Sequence, residues 1–200
     1  MQRAYRKERQ RMMIVVTGAS ASGKSAFAEQ LLTKAEAENK FYIATMISWD
    51  EECERRIMRH RKLRAGKRFT TIERPLDLHR AVLPPDSAVL LECMSNLAAN
   101  EIYRVGRPDG QESVEEYYRT DVSNGQRGAE ERILCGLEHL KRNTVHLIVV
   151  TNEVFCDGET YPEETRQYLE LLGRLNQRLA GMADQVYEVV CGIPRCLCGD

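Results

Sequence analysis

Apolar positions along this chain fall into two patterns. Short continuous apolar runs of strand length alternate with longer stretches in which apolar residues recur at helical spacing. The runs are Met12 to Val16, a β-prone segment over 41–45, Ala88 to Leu91 closed by Glu92, Val145 to Val150, and one within 184–190. Helical spacing is clearest over 130–141, with Ile133, Leu134, Leu137 and Leu140 on one face. It recurs after Pro162, where Tyr168, Leu171, Leu172, Leu175, Leu179 and Met182 form a stripe. Residues 26–38 are helix-forming. Ser48 and Glu51 have the spacing of a capping box, which predicts a helix from there to about Arg64, closed by Gly66. An extended segment over 71–75 precedes a short predicted helix over 76–82 and a turn at Pro84-Pro85-Asp86. Strands and helices thus alternate throughout, without internal repeat or dividing linker. The expectation is a three-layer α/β fold with a mostly parallel central sheet. The unbroken apolarity of 145–150 suits a strand buried on both faces.

The first apolar run ends in a motif. Gly18-Ala19-Ser20-Ala21-Ser22-Gly23-Lys24-Ser25 matches the phosphate-binding loop pattern, with a predicted strand before it and a helix after it. Such a loop turns successive backbone N–H groups toward phosphate oxygens at the positive end of a helix dipole. Lys24 then reaches the terminal phosphates, and the Ser25 hydroxyl can sit on Mg²⁺. The motif turns the general α/β expectation into a P-loop NTPase-like fold. Glu92, at the end of a second apolar run, is the candidate metal partner of Ser25; an ordinary strand-end carboxylate is the equal alternative.

Composition narrows the function. Lys and Arg number 29 against 30 Asp and Glu, a balance that argues against a dedicated nucleic-acid binder. No apolar run approaches membrane-spanning length. Residues 1–11 are basic and lack the apolar core of a signal peptide, so they are expected to be a disordered extension of a single domain over 12–200, in the cytoplasm. The seven cysteines are scattered and odd in number, as reduced thiols would be. Cys191, Cys196 and Cys198 cluster near the end, but the second ligand pair of a zinc site is missing.

The predicted helix after Ser48 is basic: Arg55, Arg56, Arg59, Arg61, Lys62 and Arg64 surround His60, and Ile57 and Leu63 are too few for a wide core stripe. It should lie on the surface, either as a solvated charged face or as a phosphate-attracting surface beside the nucleotide; composition alone favours the former. Residues 104–128 are polar, with a possible helical turn over 114–118, and read as a loop or lid.

Further blocks make the chain resemble a known family. They are Tyr42-Ile43-Ala44-Thr45, Arg56-Ile57-Met58-Arg59-His60-Arg61, Thr71-Ile72-Glu73-Arg74-Pro75, Leu90-Leu91-Glu92-Cys93 with Ser95-Asn96-Leu97, Val149-Val150-Thr151-Asn152-Glu153-Val154, a block over 173–180, and Ala183-Asp184 through Gly192-Ile193-Pro194. With the loop, and in this order, they resemble the bifunctional adenosylcobinamide kinase/adenosylcobinamide-phosphate guanylyltransferase of cobalamin biosynthesis. The resemblance implies two reactions. The γ-phosphate of ATP or GTP is moved to the aminopropanol hydroxyl of adenosylcobinamide, and GMP is then transferred from GTP onto that phosphate through a GMP-histidine intermediate. It implies His60 as the nucleophile, beside the catalytic Lys24. It implies a guanine-nucleotide site lined by Gly18 to Ser25, Thr45, Met46, Ile47, Arg61, Lys62, Leu63, Arg64, Glu73 and Glu92. It also implies Mg²⁺ on Ser25 and Glu92, a corrinoid and a nucleoside triphosphate as partners, and a homo-oligomer, for which it suggests a trimer.

The chemistry is consistent with these residues. Neighbouring arginines disfavour protonated imidazole, leaving a ring nitrogen free to attack, and can stabilise charge on the phosphates. His79, His139 and His146 match no catalytic block and are expected to be structural or exposed. Ala21 stands where the family commonly has arginine, and Phe155-Cys156-Asp157-Gly158 where it commonly continues with glycine. The alternatives are a kinase alone, with His60 structural, and a nucleotide-dependent module that grips RNA through the basic helix. The latter lacks aromatics interleaved among its cations.

Overall fold

A computed structural model of the chain describes residues 11–47, 51, 54–55, 57–59, 66–67, 69–103, 122–154 and 161–199, with only the backbone of 122–127. Its centre is a seven-stranded sheet in the order β3-β2-β4-β5-β1-β6-β7. The strands are β1 (Met12–Thr17), β2 (Asn39–Ala44), β3 (Thr70–Glu73), β4 (Ser87–Glu92), β5 (His146–Val150), β6 (Gln185–Val190) and β7 (Ile193–Cys198). All pairings are parallel except the β6–β7 hairpin. Helices α1 (Lys24–Lys34), α2 (Met94–Tyr103), α3 (Val122–Asn143) and α4 (Glu163–Met182) connect or cover them.

Alternation along each central strand builds two cores, one on each side of the sheet. Ile14, Val16, Tyr42, Leu90, Ile148 and Val150 pack with Ala28 and Leu32 of α1. Met13, Val15, Ile43, Val89, Leu91, Leu147 and Val149 pack with apolar residues of α2, α3 and α4. The expected stripes supply that second layer: Ile133, Leu137 and Leu140 of α3 and Leu171, Leu172, Leu175 and Leu179 of α4 are all buried. Tyr168, Met182 and Leu134 pack at its margin. The three-layer, mostly parallel P-loop architecture is therefore the observed one.

Local departures have local causes. Residues 76–82 form only a 3-10 turn over Leu78–Arg80. Asp77 sits in the left-handed region at φ 52, and its N–H is taken by the buried Glu101 carboxylate at 2.8 Å, so no helix can run through it. Helix α3 begins at Val122, so the end of the segment read as a loop is helical. Helix α2 and strand β7 were not expected. Only Cys93 separates α2 from β4, and β7, over IPRCLC, is exposed at every position and shows no buried periodicity. In the basic stretch, Glu51, Glu54, Arg55 and 57–59 are helical, and all but the half-buried Ile57 are exposed, as a surface helix requires. Ser48, His60 and Arg61 to Arg64 lie outside the described residues, as do 1–10 and the suggested turn at 114–118.

Candidate active site

The carboxyl ends of β1, β4 and β5 open onto one edge of the sheet, and the glycine-rich loop leaves from β1. At Gly18 (φ 151) an added Cβ would lie 2.6 Å from the Val189 carbonyl and 2.7 Å from Ser22 Oγ. At Gly23 (φ 94) it would lie 3.1 Å from the Gly192 Cα. Space and backbone conformation together exclude a side chain at Gly18, and at Gly23 the left-handed backbone disfavours one that would also crowd Gly192. Ala21 takes a left-handed φ of 58 within the loop. The Gly192 N–H, in the β6–β7 turn, donates to the Ser22 carbonyl at 2.8 Å and braces the loop from outside.

Helix α1 starts at Lys24, so the loop ends on its N-terminus. Lys24 is buried, and its Nζ donates to the Ala19 carbonyl at 2.9 Å, which folds the side chain over the loop. Burial lowers its pKa, while the nearby Cys93 and Glu92 pull it back up. The ammonium is thus poorly solvated, an arrangement that favours an anionic ligand.

Ser25 and Glu92 come from opposite sides of β5 and meet. Ser25 Oγ donates to Glu92 Oε1 at 2.5 Å, and Tyr42 Oη donates to Oε2 at 2.8 Å. A hydroxyl and a carboxylate held together at the foot of a phosphate loop form the all-oxygen donor set that suits Mg²⁺, with phosphate oxygens and water completing the shell. Among the described residues no three His, Cys, Asp or Glu side chains gather as a metal cluster, the usual case where a nucleotide supplies part of the coordination.

The other sequence-predicted residues are spread along the same edge. Thr45 is fully buried and directed at Cys93: its Oγ1 donates to the Cys93 carbonyl at 2.9 Å and accepts from the Cys93 N–H at 2.8 Å. Met46 and Ile47 follow it, half-buried. Glu73 ends β3 level with Ala44, which is level in turn with Glu92. It therefore stands about 19 Å from β1, four strand spacings away. That separation is close to the length of an extended nucleotide, so Glu73 and the loop cannot both touch the phosphates. His139 Nε2 contacts the Ala81 carbonyl at 2.9 Å, His146 opens β5 at the opposite edge of the sheet, and His79 is exposed on the 3-10 turn.

A second group of polar residues at this edge received no role from sequence. Cys93 is half-buried, the desolvation of its sulfur pushes the thiol pKa up, and the sulfur shares a hydrogen bond with Ser95 Oγ at 3.0 Å and accepts from the Asn96 N–H. Asn152 Nδ2 donates to Ser95 Oγ at 2.6 Å, and Asn176 Nδ2 to the Asn152 carbonyl at 3.2 Å. Thr151 Oγ1 donates to Asn176 Oδ1 at 2.6 Å. Tyr168 Oη lies 3.4 Å from the Ser95 carbonyl, and burial raises its pKa to about 12. The signal was present: Ser95, Asn152 and Asn176 all fall inside the blocks that carried the resemblance.

The family model "Cobinamide kinase / cobinamide phosphate guanyltransferase" matches residues 14–197. The chain belongs to this family. Three relatives are similar over most of their lengths. "Bifunctional adenosylcobalamin biosynthesis protein CobU" of Salmonella typhimurium is 36% identical over 184 residues, which is 91% of this chain and 97% of that one. The Escherichia coli protein of the same name is 34% identical, with the same shares covered. "Bifunctional adenosylcobalamin biosynthesis protein CobP" of Pseudomonas aeruginosa is 29% identical over 94% of this chain and 99% of its own. The family's two activities are cobinamide kinase and cobinamide phosphate guanyltransferase. No helix among the described residues is long and apolar enough to cross a membrane.

Proposed function

We propose that the chain phosphorylates the aminopropanol hydroxyl of adenosylcobinamide with ATP or GTP, and then joins GMP from GTP to that phosphate to give adenosylcobinamide-GDP. The observation that carries this reading is the Ser25–Glu92 contact under a complete phosphate loop, in a member of this family. In the first reaction the alcohol oxygen bonds to the γ-phosphorus, the β–γ bridge breaks with its electron pair on the departing diphosphate, and the hydroxyl proton is released to water. The loop N–H groups and Lys24 hold the phosphates in line. Ser25 and Glu92 would hold Mg²⁺, which when bound would offset charge on the phosphate oxygens.

In the second reaction an imidazole nitrogen of His60 bonds to the α-phosphorus of GTP, and pyrophosphate leaves. A phosphate oxygen of the corrinoid then attacks the same phosphorus and frees the histidine. The resemblance assigns Arg61, Lys62, Leu63 and Arg64 to the nucleotide site with Met46, Ile47 and Glu73, and the cations among them would stabilise the charge that develops, while Thr45, fully buried, would act by holding the Cys93 backbone. The same reading takes the chain as a single domain over 12–200, a homo-oligomer (a trimer) and a cytoplasmic enzyme.

The test is covalent labelling. GTP labelled at the α-phosphate should leave radiolabel on the protein that survives alkali and is lost in acid. His60→Ala should remove it by at least about a thousandfold, as loss of a nucleophile does. Undiminished label in His60→Ala would overturn the role of that residue. Phosphorylated cobinamide as the end product under excess GTP would show a kinase alone.

A further inference from the structure

The loop, Lys24, Ser25 and Glu92 account for how the phosphates are held. They leave open what holds the alcohol that receives one. The geometry points to Asn152, clamped by Ser95 and seated by Asn176, as the residue whose side-chain oxygen accepts a hydrogen bond from the attacking hydroxyl in the phosphorylation step. This assignment rests on the proposed function above.

Four observations support it. Strand β5 lies between β1 and β4, so the residues leaving it emerge between the phosphate loop and the Glu92–Cys93 turn. The backbone at this exit is fastened to the loop strand itself. The Thr151 N–H donates to the Val16 carbonyl at 3.0 Å, and the Glu153 N–H to the Gly18 carbonyl at 3.1 Å, so Asn152 is placed by the first residue of the loop.

The side chain is also fixed. Its Nδ2 is committed to Ser95 Oγ at 2.6 Å, and Ser95 Oγ lies 3.0 Å from Cys93 Sγ. Cys93 is one of the two groups whose charge Lys24 feels. With the amide nitrogen turned toward Ser95, the amide oxygen faces the other way, and among the described residues no donor reaches it. Among the described residues that oxygen is an acceptor without a donor, one residue from the peptide N–H that binds the Gly18 carbonyl at the start of the phosphate loop. A hydroxyl is the complementary ligand, since it must present its hydrogen to something while its oxygen faces the phosphorus.

Finally, Asn176 ties the position to α4. It donates to the Asn152 carbonyl and accepts from Thr151 Oγ1, so one side chain holds the Asn152 backbone and the neighbouring Thr151 side chain together. Asparagine is too weak a base to take the proton, which leaves to water as described. Its contribution is alignment, and a misplacement of the order of an ångström in such a step costs about 100-fold.

The test compares the full-length wild type with Asn152→Ala, Asn152→Asp and Ser95→Ala. Phosphorylation of adenosylcobinamide is followed with kcat and both KM values, and labelling from α-labelled GTP is run on the same preparations. Asn152→Ala is expected to lower kcat for phosphorylation about 10- to 100-fold, with the KM for ATP within about twofold. Ser95→Ala should act in the same direction and less. Asn152→Asp, which keeps the shape and an oxygen acceptor, should recover part of the rate. An Asn152→Ala rate close to wild type, or a loss expressed wholly in the KM for ATP, overturns the assignment. So does an Asn152→Asp variant no better than Asn152→Ala. A wild type that takes label from GTP but never phosphorylates cobinamide overturns the kinase reading, and the role of Asn152 with it.

Discussion

The two halves of the candidate site are built from different materials. At the exit of β1 the site is backbone: glycines, peptide N–H groups and a helix N-terminus, contributed by eight consecutive residues, Gly18 to Ser25. At the exits of β4 and β5 it is side chain: Cys93, Ser95, Thr151, Asn152, Tyr168 and Asn176, drawn from four places in the sequence and joined by hydrogen bonds. A backbone site tolerates no added atoms but needs few particular side chains. A side-chain site tolerates small changes of volume but needs each donor matched to its acceptor.

Substitutions should separate the two. The largest effect is expected from Gly18→Ala, because the new Cβ would fall within 2.7 Å of both the Val189 carbonyl and Ser22 Oγ. Nucleotide binding, followed by fluorescence with a labelled analogue, should weaken more than about 100-fold, in keeping with several kcal/mol of steric and backbone strain. A binding constant near wild type would show that the loop rearranges at little cost. Next is Glu92→Gln, which keeps the Ser25 and Tyr42 contacts in shape but removes the charge. Phosphorylation should fall about 10- to 100-fold, with a raised Mg²⁺ requirement in a metal titration. Unchanged Mg²⁺ dependence would make Glu92 an ordinary strand-end carboxylate.

Legibility in the sequence follows the same division. The loop could be read because its parts are contiguous and its spacing is set by one turn of backbone. The fold could be read because β1, β4 and β5 are buried on both faces and the stripes of α3 and α4 keep helical period. Ser25 with Glu92 could be guessed, since a strand-end acid is a single residue in a recognisable place. Asn152 to Ser95 could not, because the contact spans 57 positions and neither residue is unusual where it stands. Helix α2 was hidden by running on almost directly from β4, and β7 by burying nothing. The 3-10 turn replaced a predicted helix because Glu101 captured the Asp77 N–H, a contact 24 positions apart.

Smaller effects test the side-chain half. Thr151→Val removes the donor to Asn176 and should cost about 1 kcal/mol in urea unfolding. It should also slow phosphorylation more than GMP labelling; equal slowing of both would mean that the network serves the fold alone. The lowered pKa of Lys24 gives a pH signature. Its ammonium is weakened by burial in the free protein and strengthened by phosphates, so nucleotide binding should take up protons at alkaline pH. Calorimetry in buffers of different ionisation enthalpy reads that uptake, and proton release would contradict the sign.

Tyr168→Phe should have the least effect. The folded-state pKa of Tyr168 is about 12 against an ordinary 10, so as pH rises through that window the unfolded chain ionises first and wild-type stability falls. The variant lacks this loss and should gain about 1 kcal/mol relative to wild type between pH 9 and 11, measured by urea unfolding at each pH. No relative gain would place the phenol in water.

The β6–β7 turn has a practical use. Its Gly192 amide is bonded to the Ser22 carbonyl although the two lie at opposite ends of the chain. Exchange of that single proton with heavy water should therefore slow when the loop is filled and quicken when it is empty. It offers a resonance by which ligand screening could watch the phosphate site without a substrate, a label or a coupled assay.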